Sequence, residues 1–95
     1  MATRFYYTCM TAASDPTYFQ QRAGCYDYVV GVSDMILDFP AISGIKPTVC
    51  YPNGVTAGQI VDVAVQYLAS HPQERHYTAS STVLRALRQA FPCDH

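Results

Sequence analysis

Four cysteines constrain the fold of this chain more than any other feature of its sequence. Cys9, Cys25, Cys50 and Cys93 are separated by 16, 25 and 43 positions. Structural zinc sites usually contain cysteine pairs about two to four residues apart, and this spacing provides none. An even number of widely spaced cysteines in a short chain instead favours two disulfides, which persist in oxidising compartments. Reduced cysteines buried in the core are the alternative.

The length and composition predict one small domain, which we expect to span residues 1–95. Hydrophobic residues make up 49% of the 95 residues and charged residues only 14%, which excludes a disordered chain. Six Lys and Arg against seven Asp and Glu give a net charge of −1. Without a basic surplus to neutralise phosphates, nucleic-acid binding is not expected.

No segment of the sequence is expected to enter a membrane. No apolar run approaches the roughly 18 residues that a membrane span requires. The first residues, MATRFYY, lack the apolar stretch of a signal peptide. If the protein is exported, we expect this sequence to be its mature part behind a start methionine.

Apolar residues at helical spacing predict an all-α fold, a small bundle of about four helices. Residues 3–12 are expected to form a short first helix. The second helix has one apolar stripe about four turns long, and we expect Pro40 to end it. The stripe consists of Cys25, Tyr28, Val29, Val32, Met35, Ile36 and Phe39. The outer faces are expected to carry Asp27, Ser33, Asp34 and Asp38.

The third and fourth helices carry clear start signals. Thr56 and Gln59 form a capping-box pattern, and we expect the fourth helix to begin near Thr78. The predicted core face of the third helix is Ile60, Val61, Ala64, Val65 and Leu68. That of the fourth is Val83, Leu84, Leu87, Ala90 and Phe91, before Pro92 ends it.

Helix packing suggests how the cysteines pair. Helices joined by short connections tend to pack antiparallel, which brings Cys9 towards Cys25 and Cys50 towards Cys93. Four cysteines allow three connectivities, and the sequence alone does not prove which is used.

The sequence offers little catalytic chemistry, and we expect no enzyme activity and no cofactor. It contains no G-x-S-x-G, H-E-x-x-H, Walker or G-x-G-x-x-G motif. His71, Glu74 and His76 could hold a metal, but Pro72 interrupts the helix that would align them, so a solvated connector is the preferred interpretation. The interface candidates among the tyrosines are Tyr6, Tyr7, Tyr18, Tyr51 and Tyr77, with a core role as the alternative.

One ordered set of residues resembles a known family over about residues 24–93. The set comprises Gly24-Cys25-x-x-Tyr28-x-x-Gly31-Val32-x-Asp34, Cys50-x-Pro52-x-Gly54-Val55-Thr56-x-Gly58-Gln59-Ile60-x-Asp62-x-x-Val65-x-Tyr67-Leu68, His71-Pro72 and Ala90-Phe91-Pro92-Cys93. It resembles the periplasmic immunity proteins that protect Gram-negative bacteria from peptidoglycan amidases delivered by type VI secretion.

The resemblance implies a periplasmic helical protein, often a homodimer, that binds a cognate amidase effector and blocks its active-site cleft. It also implies that Cys9, Cys25, Cys50 and Cys93 are structural and that no residue is catalytic. Two segments are candidates for the contact. The preferred one is residues 71–77, through His71, Gln73, Glu74, Arg75, His76 and Tyr77. The other is residues 41–49, through Ile42, Ile45 and Lys46.

Two other functions are compatible with the residues alone. A periplasmic acid-stress chaperone would also be small, helical and disulfide-bonded, and would lose tertiary structure near pH 3. An enzyme or metal carrier would use His71, Glu74 and His76. Metal bound to the purified protein would favour this last function.

Overall fold

The computed structural model describes residues 1–93 and contains the four α-helices that the sequence predicts. They are α1 (Ala2–Cys9), α2 (Tyr18–Ser43), α3 (Ala57–Ser70) and α4 (Ala79–Ala90). A single 3-10 turn, Pro72–Glu74, lies between α3 and α4. Residues 1–93 contain no β-strand, only one antiparallel bridge between Val49 and Pro92. The all-α prediction is confirmed.

The starts of α3 and α4 follow the predicted capping chemistry. The Thr56 hydroxyl accepts a hydrogen bond from the Gln59 backbone N–H (3.2 Å), and the Gln59 side chain accepts one from the Thr56 N–H (2.9 Å). The Thr78 hydroxyl accepts from the Ser81 N–H (3.3 Å). These bonds satisfy N–H groups that have no partner inside the helix, so both starts are locally encoded.

The bounds of the first two helices differ from prediction. Pro40 does not end α2, which continues to Ser43 and ends at Gly44 with φ of +76°. Pro40 lies in the last turn, where its missing N–H removes only one helical bond, and the left-handed Gly44 closes the helix by donating to the Pro40 carbonyl (2.9 Å). Helix α1 ends at Cys9 rather than residue 12. The Thr11 hydroxyl there donates to the Thr8 carbonyl (2.9 Å).

The core lies where all four helices meet. Its buried residues are Cys9, Cys25, Val29, Val49, Val61, Ala64, Val83 and Leu87. Leu68 is also fully buried, whereas Ile60, Val65, Leu84 and Phe91 are partly buried. Some burial predictions were wrong. Ala90 and Tyr28 were expected in the core, but Ala90 is exposed and Tyr28 is 39% exposed, and Ser33 is buried rather than on an outer face. Thr82, which lies outside the predicted core face, is buried with its hydroxyl donating to the Thr78 carbonyl (3.0 Å).

The preferred disulfide pairing is confirmed. Cys9 bonds to Cys25, which ties α1 to α2, and Cys50 bonds to Cys93, which ties the α2–α3 loop to the end of α4. The two pairs differ in exposure. Cys9 and Cys25 are 0% and 2% exposed, whereas Cys50 lies on the surface and Cys93 is half-buried.

Candidate partner-binding surfaces

The segment of residues 71–77 is a rigid turn between α3 and α4. Three backbone hydrogen bonds close it. The N–H groups of Glu74, Arg75 and Tyr77 donate to the carbonyls of His71 (3.0 Å), Pro72 (3.3 Å) and Glu74 (3.1 Å), respectively. The His71 ring stacks on the Tyr67 ring of α3, with centroids 3.9 Å apart and planes 14° apart. The segment therefore has a defined conformation in the free protein.

Glu74 points towards the helices. Its carboxylate accepts hydrogen bonds from the Tyr67 hydroxyl (2.9 and 3.0 Å) and from the Arg85 guanidinium (3.2 Å). Its side chain is 18% exposed. The bond from Tyr67 and then that from Arg85 lower the Glu74 pKa below its usual value, because both stabilise the carboxylate. Burial and the bond to Glu74 raise the pKa of Tyr67.

Arg75 is also occupied by contacts within the chain. Its Nε donates to the Leu68 carbonyl (3.0 Å) and its Nη2 to the Ala69 carbonyl (3.3 Å). Its guanidinium carbon lies 3.8 Å from the centre of the Tyr6 ring in α1. Two of the predicted contact residues, Glu74 and Arg75, therefore use their charged groups inside the molecule.

The outward side of the segment carries three of the other four predicted residues, whereas His71 is half-buried against Tyr67. Gln73, His76 and Tyr77 are exposed, and the His76 and Tyr77 rings lie 4.2 Å apart. The Arg85 guanidinium lies 4.2 Å from the Tyr77 ring, which restricts that ring. This side presents an amide, an imidazole and a phenol to a partner.

The segment of residues 41–49 is the second candidate and is mostly apolar. Ile42 and Ile45 are 79% and 56% exposed, and Lys46 is exposed beside them. The segment is anchored where it rejoins the fold. The Cys50 N–H donates to the Phe91 carbonyl (2.9 Å), next to the disulfide and the Val49–Pro92 bridge. An exposed apolar turn held at its far end is a suitable protein contact.

An apolar groove runs from this segment along α2 and α4. It has a volume of about 250 Å³ and is lined by Met35, Ile36, Phe39, Pro40, Ile45, Lys46, Thr48 and Leu84. A neighbouring depression continues it to Val32, Ser80 and Ser81. The sequence pattern assigned Met35 and Phe39 to the core, but they are 58% and 50% exposed because they line this groove. Leu37 is an apolar residue outside the predicted stripe of α2, and it is 47% exposed. Its position is the sequence signal that this half of the helix does not have one apolar face and one polar face.

Three of the tyrosine interface candidates contact other elements of the chain, one of them being Tyr77, whose ring lies next to Arg85 of α4. Tyr51 hydrogen-bonds to Ser33, and Tyr6 is covered by Arg75. Tyr7 is 65% exposed and Tyr18 is half-buried. The three aspartates of α2, Asp27, Asp34 and Asp38, lie on the exposed surface as predicted.

Comparisons with known proteins identify the family. Within residues 1–93, no three His, Cys, Asp or Glu side chains cluster to hold a metal, and no helix is long and apolar enough to cross a membrane. Neither the curated proteins nor the solved structures gave a significant match. The family model of the Rap1a immunity proteins, which counter type VI secretion effectors, matches residues 1–93. The match includes α1, which lies outside the motif set quoted from the sequence. The chain belongs to the Rap1a immunity protein family.

Proposed function

We propose that this protein binds a peptidoglycan amidase delivered by type VI secretion and blocks its active-site cleft, which protects the producing cell. Membership of the Rap1a immunity family is the observation that carries the proposal. A cysteine amidase needs an open groove for its peptide substrate. A rigid protein segment can fill that groove without any chemistry of its own.

The 71–77 segment supports a blocking mechanism because it is already ordered. Binding costs free energy when loops and side chains must be immobilised, and preorganised segments avoid part of that cost. Here the turn is closed by its own hydrogen bonds and held by Glu74 and Arg75. Gln73 and His76 remain free to reach polar groups in the cleft of the amidase.

The 41–49 segment and the apolar groove supply contact area around the cleft. Ile42 and Ile45 contribute apolar surface, and Lys46 adds a cation at its edge. An apolar centre with polar groups around it is typical of specific protein interfaces. We propose that this surface flanks the contact made by the 71–77 segment.

We also propose a periplasmic location and a homodimeric state. Two disulfides suit an oxidising compartment, and peptidoglycan is the substrate of the proposed target. Sedimentation velocity of the oxidised protein tests the dimer, and fractionation of the source cells tests the location.

The function is tested by capture followed by inhibition. The oxidised protein is used as bait in lysate of its source bacterium, and the bound proteins are identified by mass spectrometry. We expect one stoichiometric partner that releases peptides from peptidoglycan and is inhibited at equimolar immunity protein. Many unrelated partners, captured best at low pH, would instead indicate a chaperone. A partner whose amidase activity persists at saturating immunity protein would contradict the blocking mechanism.

Variants of the free side chains make the inhibition assay specific. A Gln73→Ala/His76→Ala double variant should inhibit less than the wild type, because both side chains are exposed on the proposed contact surface. Phe19→Ser is the matched control, since Phe19 is 83% exposed near the start of α2. It should inhibit as the wild type does.

A further inference from the structure

Arg75 lies where the 71–77 segment meets both α1 and α3. Its backbone carbonyl accepts two hydrogen bonds from Thr3, from the N–H (3.1 Å) and from the hydroxyl (3.2 Å). The Ala2 N–H donates to the Tyr77 carbonyl (2.8 Å). The first N–H groups of a helix have no partner inside it, so α1 satisfies two of its own by binding the segment.

The Arg75 side chain completes the end of α3. In a regular helix the Leu68 carbonyl would accept from the N–H of residue 72, but residue 72 is proline and has no N–H. The Arg75 guanidinium supplies that missing donor at 3.0 Å and a second donor to Ala69 at 3.3 Å. It therefore satisfies carbonyls that the helix end leaves without a partner.

The same guanidinium lies over the Tyr6 ring of α1. It lies 3.8 Å from the centre of the Tyr6 ring, a distance at which a cation is attracted to an aromatic face. Only a planar group with several N–H donors can stack on a ring and donate to two carbonyls together, so lysine does not replace it. Arg75 thus joins α1, α3 and the segment.

We infer that Arg75 is a positioning residue, which holds the 71–77 segment so that Gln73 and His76 face the effector, and that it does not itself contact the effector. The role of Arg75 in binding rests on the proposed function, whereas its role in holding the segment concerns the free protein alone. It divides the segment into inward residues that fix its shape and outward residues that contact the partner.

The test compares Arg75→Ala, Arg75→Lys and His76→Ala. Amide hydrogen exchange is measured by NMR at Glu74, Arg75 and Tyr77, whose N–H groups close the turn, and affinity for the captured amidase is measured by titration. With Arg75→Ala we expect exchange in the free protein to accelerate about tenfold at these amides, because the variant loses two hydrogen bonds to α3 and the contact with the Tyr6 ring. Affinity should fall about tenfold or more, since the free segment must then be ordered on binding.

The other two variants separate positioning from contact. His76→Ala should weaken binding without changing the exchange rates, because its side chain faces outward. Arg75→Lys keeps the charge but should resemble Arg75→Ala in exchange. It also keeps the test available if the alanine variant fails to fold, and unchanged exchange at the centre of α3 shows an intact fold.

Two results would overturn the inference. Weaker binding by Arg75→Ala with unchanged exchange in the free protein would place Arg75 in the contact itself. Faster exchange with unchanged affinity would show that the order of the segment does not matter for binding. If the wild type binds no amidase, the proposed function fails, and the exchange rates still decide whether Arg75 holds the segment.

Discussion

The hydroxyl oxygens of Ser33 and Tyr51 lie 2.7 Å apart and join α2 to the loop that leads into α3. Ser33 is only 4% exposed, so its hydroxyl would be costly to bury without this partner. The Tyr51 ring packs edge-on against Phe91, with centroids 5.1 Å apart. One polar pair thus links α2, the loop and the end of α4 next to the Cys50–Cys93 disulfide.

Removing either hydroxyl should destabilise the fold. Ser33→Ala and Tyr51→Phe should each lower the free energy of unfolding by about 1 kcal/mol, the usual contribution of a partly buried hydrogen bond. The double variant should lose less than the sum of the single losses, because the two hydroxyls share one bond. Urea unfolding at pH 7 measures all three. Tyr7→Phe is the control, since Tyr7 is 65% exposed, and an additive double variant would show that the pair does not interact.

The Glu74 carboxylate should make stability depend on pH in the acid range. Its pKa in the folded protein is below the ordinary value of 4.5, chiefly because Tyr67 donates a hydrogen bond to it. A lowered pKa means that the carboxylate contributes stability above the unfolded-state pKa and loses it as pH falls through the folded-state pKa. The stability difference between wild type and Glu74→Gln should therefore shrink between pH 6 and pH 3.

The same network has an alkaline counterpart at Tyr67. Its pKa is raised by burial and by the bond to Glu74, so its contribution is present below the unfolded-state pKa and is lost as pH rises through the folded-state pKa. Urea unfolding at a series of pH values measures the acid and alkaline dependence of the free energy of unfolding for Glu74→Gln and Tyr67→Phe. Asp38→Asn controls for the loss of a carboxylate on the surface. If wild type and Glu74→Gln lose the same stability at acid pH, the Glu74 contacts are not the cause of that loss.

The two disulfides should be reduced in a fixed order. Cys50 is on the surface, whereas Cys9 and Cys25 are 0% and 2% exposed, and thiol–disulfide exchange requires access to a sulfur. Cys50–Cys93 should open first as reductant is raised, and mass mapping of alkylated cysteines detects it. Its two cysteines are 43 positions apart, so its loss should remove about 4 kcal/mol in the chain-entropy model. Earlier labelling of Cys9 and Cys25 would contradict this order.

Gly31 inside α2 and Gly44 at its C-terminal cap should respond to alanine in opposite ways. Gly44 has φ of +76°, which disfavours any side chain, so Gly44→Ala should destabilise the fold by about 1 kcal/mol. Gly31 lies inside the helix, and an added Cβ would meet no atom within 4 Å beyond its chain neighbours and the adjacent backbone of its own helix. Gly31→Ala should therefore stabilise the fold by about 0.5–1 kcal/mol. Thermal unfolding compares the two, and the same sign for both would show that backbone conformation does not decide the outcome.

Ile42 should matter for binding and not for folding. Its side chain is 79% exposed at the end of α2, so Ile42→Ser should leave the melting temperature within about 2 °C of the wild type, as expected for a surface change. Affinity for the amidase should fall about fivefold or more if this apolar surface is buried in the complex. Phe19→Ser, at an equally exposed apolar position, should not change the affinity. If Ile42→Ser binds the amidase as tightly as Phe19→Ser and the wild type do, the 41–49 segment is not part of the contact.

Features encoded by neighbouring residues were predictable from the sequence. The capping box of Thr56 and Gln59 involves residues three positions apart, and its hydrogen bonds form as expected. The cysteine pairing followed from helix order, because each bridge joins elements that pack side by side. The end of α2 was mispredicted, since Pro40 and Gly44 are both local stop signals and only the second ends the helix.

Features that depend on distant parts of the chain were not predictable. Met35 and Phe39 have the helical spacing of core residues. That spacing does not show whether another helix packs on them, and in the structure none buries them. The inward direction of Arg75 depends on Thr3 and Tyr6, about 70 positions away in the chain. A short polar connector gives no periodicity from which the two sides can be told apart.

Under the proposed blocking mechanism, the inward side of the 71–77 segment fixes its shape and the outward side contacts the effector. Substitutions at Gln73 and His76 leave the contacts of Glu74 and Arg75 in place, so they are nearly free of any folding penalty. An immunity protein built this way can adapt to a changed effector by substituting a few surface residues, while the contacts that fix the segment stay the same. Related chains that counter different toxins should therefore diverge first at these outward positions.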